Sequence, residues 1–196
     1  DAEEQIETML SALHERTGRH PHLVICHLKR RKVDCNRPLV MAAEGDPRAE
    51  TAWREYHGFI GEAIARVKRG HGLGFLADVH GHGHKADRLE LGYMLARHQV
   101  FATEEELDGL ADKSSLRLLA GKTPLGFADL VRGPRSLGGL LEARGVPAMP
   151  SPKNMPGAGT PYFSWGYTTN RYCRLEGASM CGVQLECNFR GVRATQ

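Results

Sequence analysis

Apolar positions along the chain recur at two spacings. In residues 3–16, EEQIETMLSALHER, Ile6, Met9, Leu10 and Leu13 fall at helical intervals and Gly18 follows as a stop, which predicts an opening helix. From Pro47 to about Arg69, Ala52, Tyr56, Phe59, Ile60, Ala63, Ile64 and Val67 share one face of a long amphipathic helix. Two other runs lack that period. HLVICHL (22–28) is short, apolar and partly β-branched, the mark of an interior strand, and LGFLADV, ending at Val79, is a second. Strand, loop, helix and strand in that order predict a βαβ unit with parallel pairing.

Further along, SSLRLLA predicts a short strand or turn and SLGGLLEARG a helix, whereas GVPAMPSPKNMPGAGTPYF is too rich in proline and glycine for either and predicts a long surface loop. MCGVQLECNF (180–189) alternates enough to be a strand, with Glu186 in its interior. No internal repeat or low-complexity tract interrupts the pattern. The expectation is one α/β domain over residues 1–196.

Composition narrows the function classes. With 41% apolar residues the chain can supply a real core without disulfides. Its 26 basic and 23 acidic residues nearly cancel, so no nucleic-acid partner is expected, and an acidic ligand must be met by local arginines. No stretch approaches the roughly 20 apolar residues of a membrane span, and the polar start DAEEQIETML is unlike a signal peptide. The five cysteines lack Cys-x-x-Cys spacing, which argues against a zinc ribbon and favours a reducing, cytoplasmic setting. The start at Asp1 rather than Met raises the expectation of an upstream segment.

Candidate chemistry collects after the two expected strands, where a parallel α/β sheet binds its ligands. Arg30, Arg31, Asp34, Asn36 and Arg37 follow the first; Asp78, His80, His82 and His84 lie at the end of the second. Asp78 and His80 are two apart, so along an extended backbone both side chains share a side, and the carboxylate can fix the tautomer that frees the other ring nitrogen for a metal. Asn36 beside Arg37 is suited to gripping a carboxylate, although an Arg-rich turn is more often a solvated face. Glu186, inside an apolar run, needs a polar cleft or an ion pair with Arg190 or Arg193, because an unpartnered buried carboxylate costs several kcal/mol.

The stretches VDCNRPL, ADVHGHGH, RGPRSLGGLLEARGVPAMPSP, YFSWGYTTNRY and GVQLECNFRGVR, in this order, resemble the N-formylglutamate amidohydrolase family, itself similar to zinc carboxypeptidases and aspartoacylases. The resemblance implies a three-layer zinc-peptidase-like fold, also called phosphorylase/hydrolase-like, with a mixed, mostly parallel central sheet flanked by helices. It implies zinc, with His80 as the one ligand this strand end supplies and Asp78 behind it; His82 and His84 are expected outside the primary shell unless they replace ligands of a missing segment. It further implies Glu186 as general base and Arg31, or Arg30, as the group polarising the scissile carbonyl. Asn36, Arg37, Arg135 and Tyr167 would bind a small substrate carrying a carboxylate, with the loop 147–161 and Tyr162 bordering the site. The family's early His-x-x-Glu segment is absent from the 196 residues. The expected activity is hydrolysis of the amide of an N-acylated acidic amino acid; the alternatives are a non-catalytic carboxylate- or metal-binding relative and a zinc carboxypeptidase-type peptidase.

Overall fold

The structure is a computed structural model that describes residues 2–175, 177–190 and 192. Helix α1 (Ala2–Thr17) ends where Gly18, at φ 65°, returns its N–H to the His14 carbonyl. A short α2 (Leu39–Ala43) precedes the long α3 (Pro47–His71), whose first turn is capped by the Asp46 carboxylate accepting from the N–H groups of Arg48 and Ala49. Pro47 at the first helical position costs α3 nothing, since its missing N–H would have no partner there. These boundaries agree with the apolar periodicity.

Four strands form one mixed, mostly parallel sheet in the order β1-β4-β2-β3: β1 (Gly74–Gly81), β2 (Leu89–Gly92), β3 (Ala148–Met149) and β4 (Met180–Cys187). β1 runs parallel to β4 and β3 parallel to β2, while β2 is antiparallel to β4. β4 is a central strand with all eight residues buried, which explains why its sequence alternates only weakly.

The sheet has two unlike faces. Cys181, Val183, Leu185 and Cys187 of β4, with Leu89 and Leu91 of β2, join Tyr93, Leu95, Val100, Leu107, Phe127 and Val131 in the main core. The even-numbered positions of β4 point the other way. A smaller cluster of Val33, Cys35, Ala42, Ala43, Ala49 and Trp53 ties α2 and α3 to the loop before them.

Three expectations are corrected. Residues 22–28 form no strand: Val24, Ile25 and Cys26 are only half-buried and Leu23 and Leu28 are exposed, so the βαβ unit they were to open does not form. Apolar content supplies one face of a strand but not the ladder partner, and β1 takes β4 instead. For SSLRLLA the strand alternative falls and the turn holds, running into a helical turn, α4 (Arg117–Ala120); Ser115 pins its start by donating from its hydroxyl to the Gly182 carbonyl of β4. The Pro/Gly-rich loop contributes a two-residue strand, β3, which pairs with the unforeseen β2.

Candidate functional site

Strand alternation assembles the site. In register, Asp78 of β1 faces Gln184 of β4, and His80 faces Glu186, which faces Glu90 of β2. Opposed residues project from the same face, so His80, Glu186 and Glu90 form one polar row across three strands, with Asp78 and Gln184 one step behind. Asp78, Glu186 and Glu90 are 6%, 7% and 0% exposed. Three desolvated carboxylates side by side are costly unless each has partners.

Those partners are present. Asp78 Oδ1 accepts from His80 Nε2 at 2.8 Å and Asp78 Oδ2 from the Thr169 hydroxyl at 3.1 Å. This bond places the His80 proton on Nε2 and leaves Nδ1 as the nitrogen available to a ligand. Burial pulls the His80 pKa down, but the Asp78 hydrogen bond and the charges of Asp78 and Glu186 outweigh it, so the net shift is upward. Glu186 Oε1 accepts from the Gln184 amide at 2.7 Å. The Gln184 Oε1 atom is buried with no hydrogen-bond partner among the described residues. Gly166 lies against it, and a Cβ there would collide with that oxygen. The backbone of residues 163–166 therefore covers the row closely.

Asn36 joins the row beside Gly166: its Oδ1 accepts the Thr168 N–H at 3.1 Å and its Nδ2 stands 3.4 Å from His80 Nε2. Asp78 and His80 also line one end of a groove of about 640 Å³ between α1, α3 and β1.

A second group shares Glu90. His82, His84 and Glu90 bring one ligand atom each within 4.8 Å of one another and could hold a metal ion; among the described residues no other such group of three occurs. His82 donates from Nε2 to the Arg88 carbonyl at 2.8 Å and receives the His84 N–H at Nδ1 at 3.1 Å. His84 Nδ1 lies 2.8 Å from Glu90 Oε1, while its ring stacks on Phe163 at 4.7 Å. Glu90 Oε2 accepts the Phe163 N–H, and Arg88 Nη2 stands 3.4 Å from Oε1.

The remaining expected residues are distributed unevenly. Arg31 and Arg37 are exposed and, with Arg30, Lys32, Asp34 and Asp46, line a basic pocket of about 540 Å³ that shares no lining residue with the groove at His80. Arg37 Nε is 3.7 Å from Asp34 rather than beside Asn36's amide, so the two do not form a common fork. Arg30, paired with Asp34 at 3.0 Å, is the arginine whose charge reaches His80. Arg135 is exposed on the turn between α5 (Phe127–Arg132) and α6 (Leu137–Glu142) and lines neither pocket.

Tyr167 packs edge-on to His57 and accepts from Arg171 Nη1 at 3.0 Å, away from the polar row. Tyr162 donates to the Leu91 carbonyl at 2.6 Å, anchoring the loop end. Pro161 and Thr160 accept from Arg88 and Arg97, so the loop reaches the site through Arg88 and Phe163. Glu186 has Gln184 as its partner; Arg190 pairs with Asp87, and Arg193 lies outside the described residues.

Sequence reasoning missed Glu90, Gln184, Thr169 and Gly166. Glu90 had a readable signal: in RLELGY it sits between Leu89 and Leu91, an acid inside an apolar run like Glu186. Gln184 and Gly166 carried none, since their roles come from crossing segments remote in sequence. The chain matches no family model, no curated protein and no solved structure.

Proposed function

We propose that the protein is a metal-dependent amidohydrolase acting on a small N-acylated acidic amino acid of the N-formylglutamate kind, with a zinc ion held by His82, His84 and Glu90. One observation carries this reading: the metal-capable group and the buried Glu186 share a single polar row through the register Glu90–Glu186–His80. The sequence resemblance supports the amide chemistry and the zinc-peptidase-like fold. Two imidazoles and a carboxylate are a donor set that suits zinc and leaves positions open. Ligation through His84 Nδ1 would take the place of its 2.8 Å contact with Glu90 Oε1.

Held by His82, His84 and Glu90, zinc would supply Lewis-acid activation of a water at neutral pH. Glu186, oriented by Gln184, takes the proton from the attacking water and returns it to the departing amine. His80 is held by Asp78 and stands beside Asn36, and Arg88, next to Glu90, would supply positive charge for the substrate carboxylate.

Zinc content and hydrolysis of N-formylglutamate against N-formylleucine test the reading. His84→Ala and Glu90→Gln should each lose the metal and the activity, while His80→Ala keeps the metal. Stoichiometric zinc in His84→Ala would sink the assignment, as would absence of hydrolysis by zinc-loaded protein. A non-catalytic carboxylate-binding protein is the second reading, favoured by the saturated ring nitrogens of His82 and by Arg88 beside Glu90. Substrate-analogue binding without turnover would select it.

A further inference from the structure

The smaller cluster contains a feature that the proposed activity does not use. Cys26 lies on the half-buried run that joins no ladder, and Cys35 lies at the edge of the Trp53 cluster. Their sulfur atoms are 3.8 Å apart, and no disulfide links any of the five cysteines. A disulfide needs about 2.05 Å between sulfurs, so less than 2 Å of approach closes it. Residues 22–28 are held by no strand partner and can supply that movement, whereas Cys35 is fixed by its carbonyl accepting from His57 Nε2 at 3.0 Å. Asn36, which faces His80, is the next residue.

We propose that Cys26 and Cys35 are a reversible disulfide pair, oxidised by a hydroperoxide, whose closure fastens residues 22–28 to the α2–α3 cluster beside Asn36. Cys26, the more accessible thiol, attacks as thiolate: its sulfur bonds to one peroxide oxygen, the O–O bond breaks, and the departing oxygen takes up a proton as water, leaving Cys26 as a sulfenic acid. The Cys35 sulfur then attacks the Cys26 sulfur, the S–O bond breaks, and the Cys35 proton leaves with the hydroxyl as a second water. Two thiols are oxidised by two electrons and one hydrogen peroxide is reduced to two waters. Burial pushes the Cys35 thiol up to about 12, with Cys26 and Asp34 adding to the effect, so Cys35 stays protonated until the second step.

The test treats the full chain with stoichiometric hydrogen peroxide and maps the unreduced peptides by mass. The expected product is a monomer lighter by two hydrogens, with one link between the peptides holding Cys26 and Cys35 and three thiols left of the five. Cys26→Ser, at the accessible partner, should abolish the link without unfolding the chain. Closing the ten-residue span from Cys26 to Cys35 should raise the Tm by about 5 °C, reversed by dithiothreitol and absent in Cys26→Ser. The proposal is overturned if Cys26 proceeds to sulfinic acid with Cys35 unlinked, if another pair or an intermolecular link forms first, or if the wild type gains no link.

Discussion

Two histidines on either side of the Asn36 loop, one buried and one half-buried, have opposite fates. His57, on α3, is enclosed by Trp53 at 4.1 Å, Tyr56 at 5.2 Å and Tyr167 at 5.7 Å between ring centroids, with Nε2 on the Cys35 carbonyl and Nδ1 on the Tyr172 hydroxyl. Burial lowers its pKa to about 4; the Cys35 carbonyl and the Asp78 charge oppose this and the Arg171 charge adds to it. His80 is also partly buried, yet its pKa is raised, because two carboxylates share its surroundings. The desolvation penalty has the same sign in both; anionic neighbours decide which form survives. The aromatic cage is a neutral setting, while the end of the sheet favours charge.

The largest effect that would break this contrast belongs to Glu186. Positioned general bases contribute about 10²–10⁴-fold, so Glu186→Gln should lower kcat for N-formylglutamate by about that factor in zinc-loaded protein, with KM and zinc content unchanged. The Gln184 amide can still bond the new side-chain oxygen, so the fold should hold. Near-parental kcat would show that the polar row is as structural as the cage.

The second test is the pH dependence of stability. His57 binds a proton in the unfolded chain near 6.5 but in the folded chain only near 4. Between those values the unfolded state holds more protons, so stability falls as pH falls through 6.5 and the loss is complete below about 4. Going from pH 7 to pH 4.5 should remove about 2–3 kcal/mol, read by urea denaturation at each pH. His57→Gln should flatten that window. His80 has the opposite sign: its contribution is present below 6.5 and is lost as pH rises through its raised folded value. A His57→Gln variant with the wild-type slope below 6.5 would transfer the effect to other groups and dissolve the contrast.

The contrast was half legible in the sequence. α1 and α3 follow from apolar spacing, and β1 and β4 from apolar runs, because each pattern depends only on neighbours along the chain. Asp78, His80 and Glu186 were visible as polar groups in or just after those runs, whereas the approach of Asn36 to His80 was not. Residues 22–28 had the right composition and no ladder, since pairing depends on partners remote in sequence, and β1 pairs with β4. Arg31, Arg37 and Arg135 were grouped with the site by order in the chain, and order says nothing of where an exposed arginine points. His57 was hidden for a related reason: on a helical wheel it is one polar position of α3, and only the crossing of residues 167–172 turns it into the centre of a cage.

The smallest effect sharpens the cage side. The Tyr172 hydroxyl stands 2.9 Å from His57 Nδ1 and 3.1 Å from the His57 carbonyl, and its single proton is shared between these two acceptors. With Nε2–H directed at the Cys35 carbonyl, the neutral ring has Nδ1 as its acceptor, and Tyr172→Phe leaves that buried acceptor unpaired. The cost should be about 1–2 kcal/mol, since one net hydrogen bond is lost and one desolvated group stays behind. Zinc content and kcat should not move, because neither atom faces the row of His80, Glu186 and Glu90. A fall in kcat at unchanged stability would mean that the cage feeds the site through Cys35 and Asn36, and that the two histidines belong to one machine.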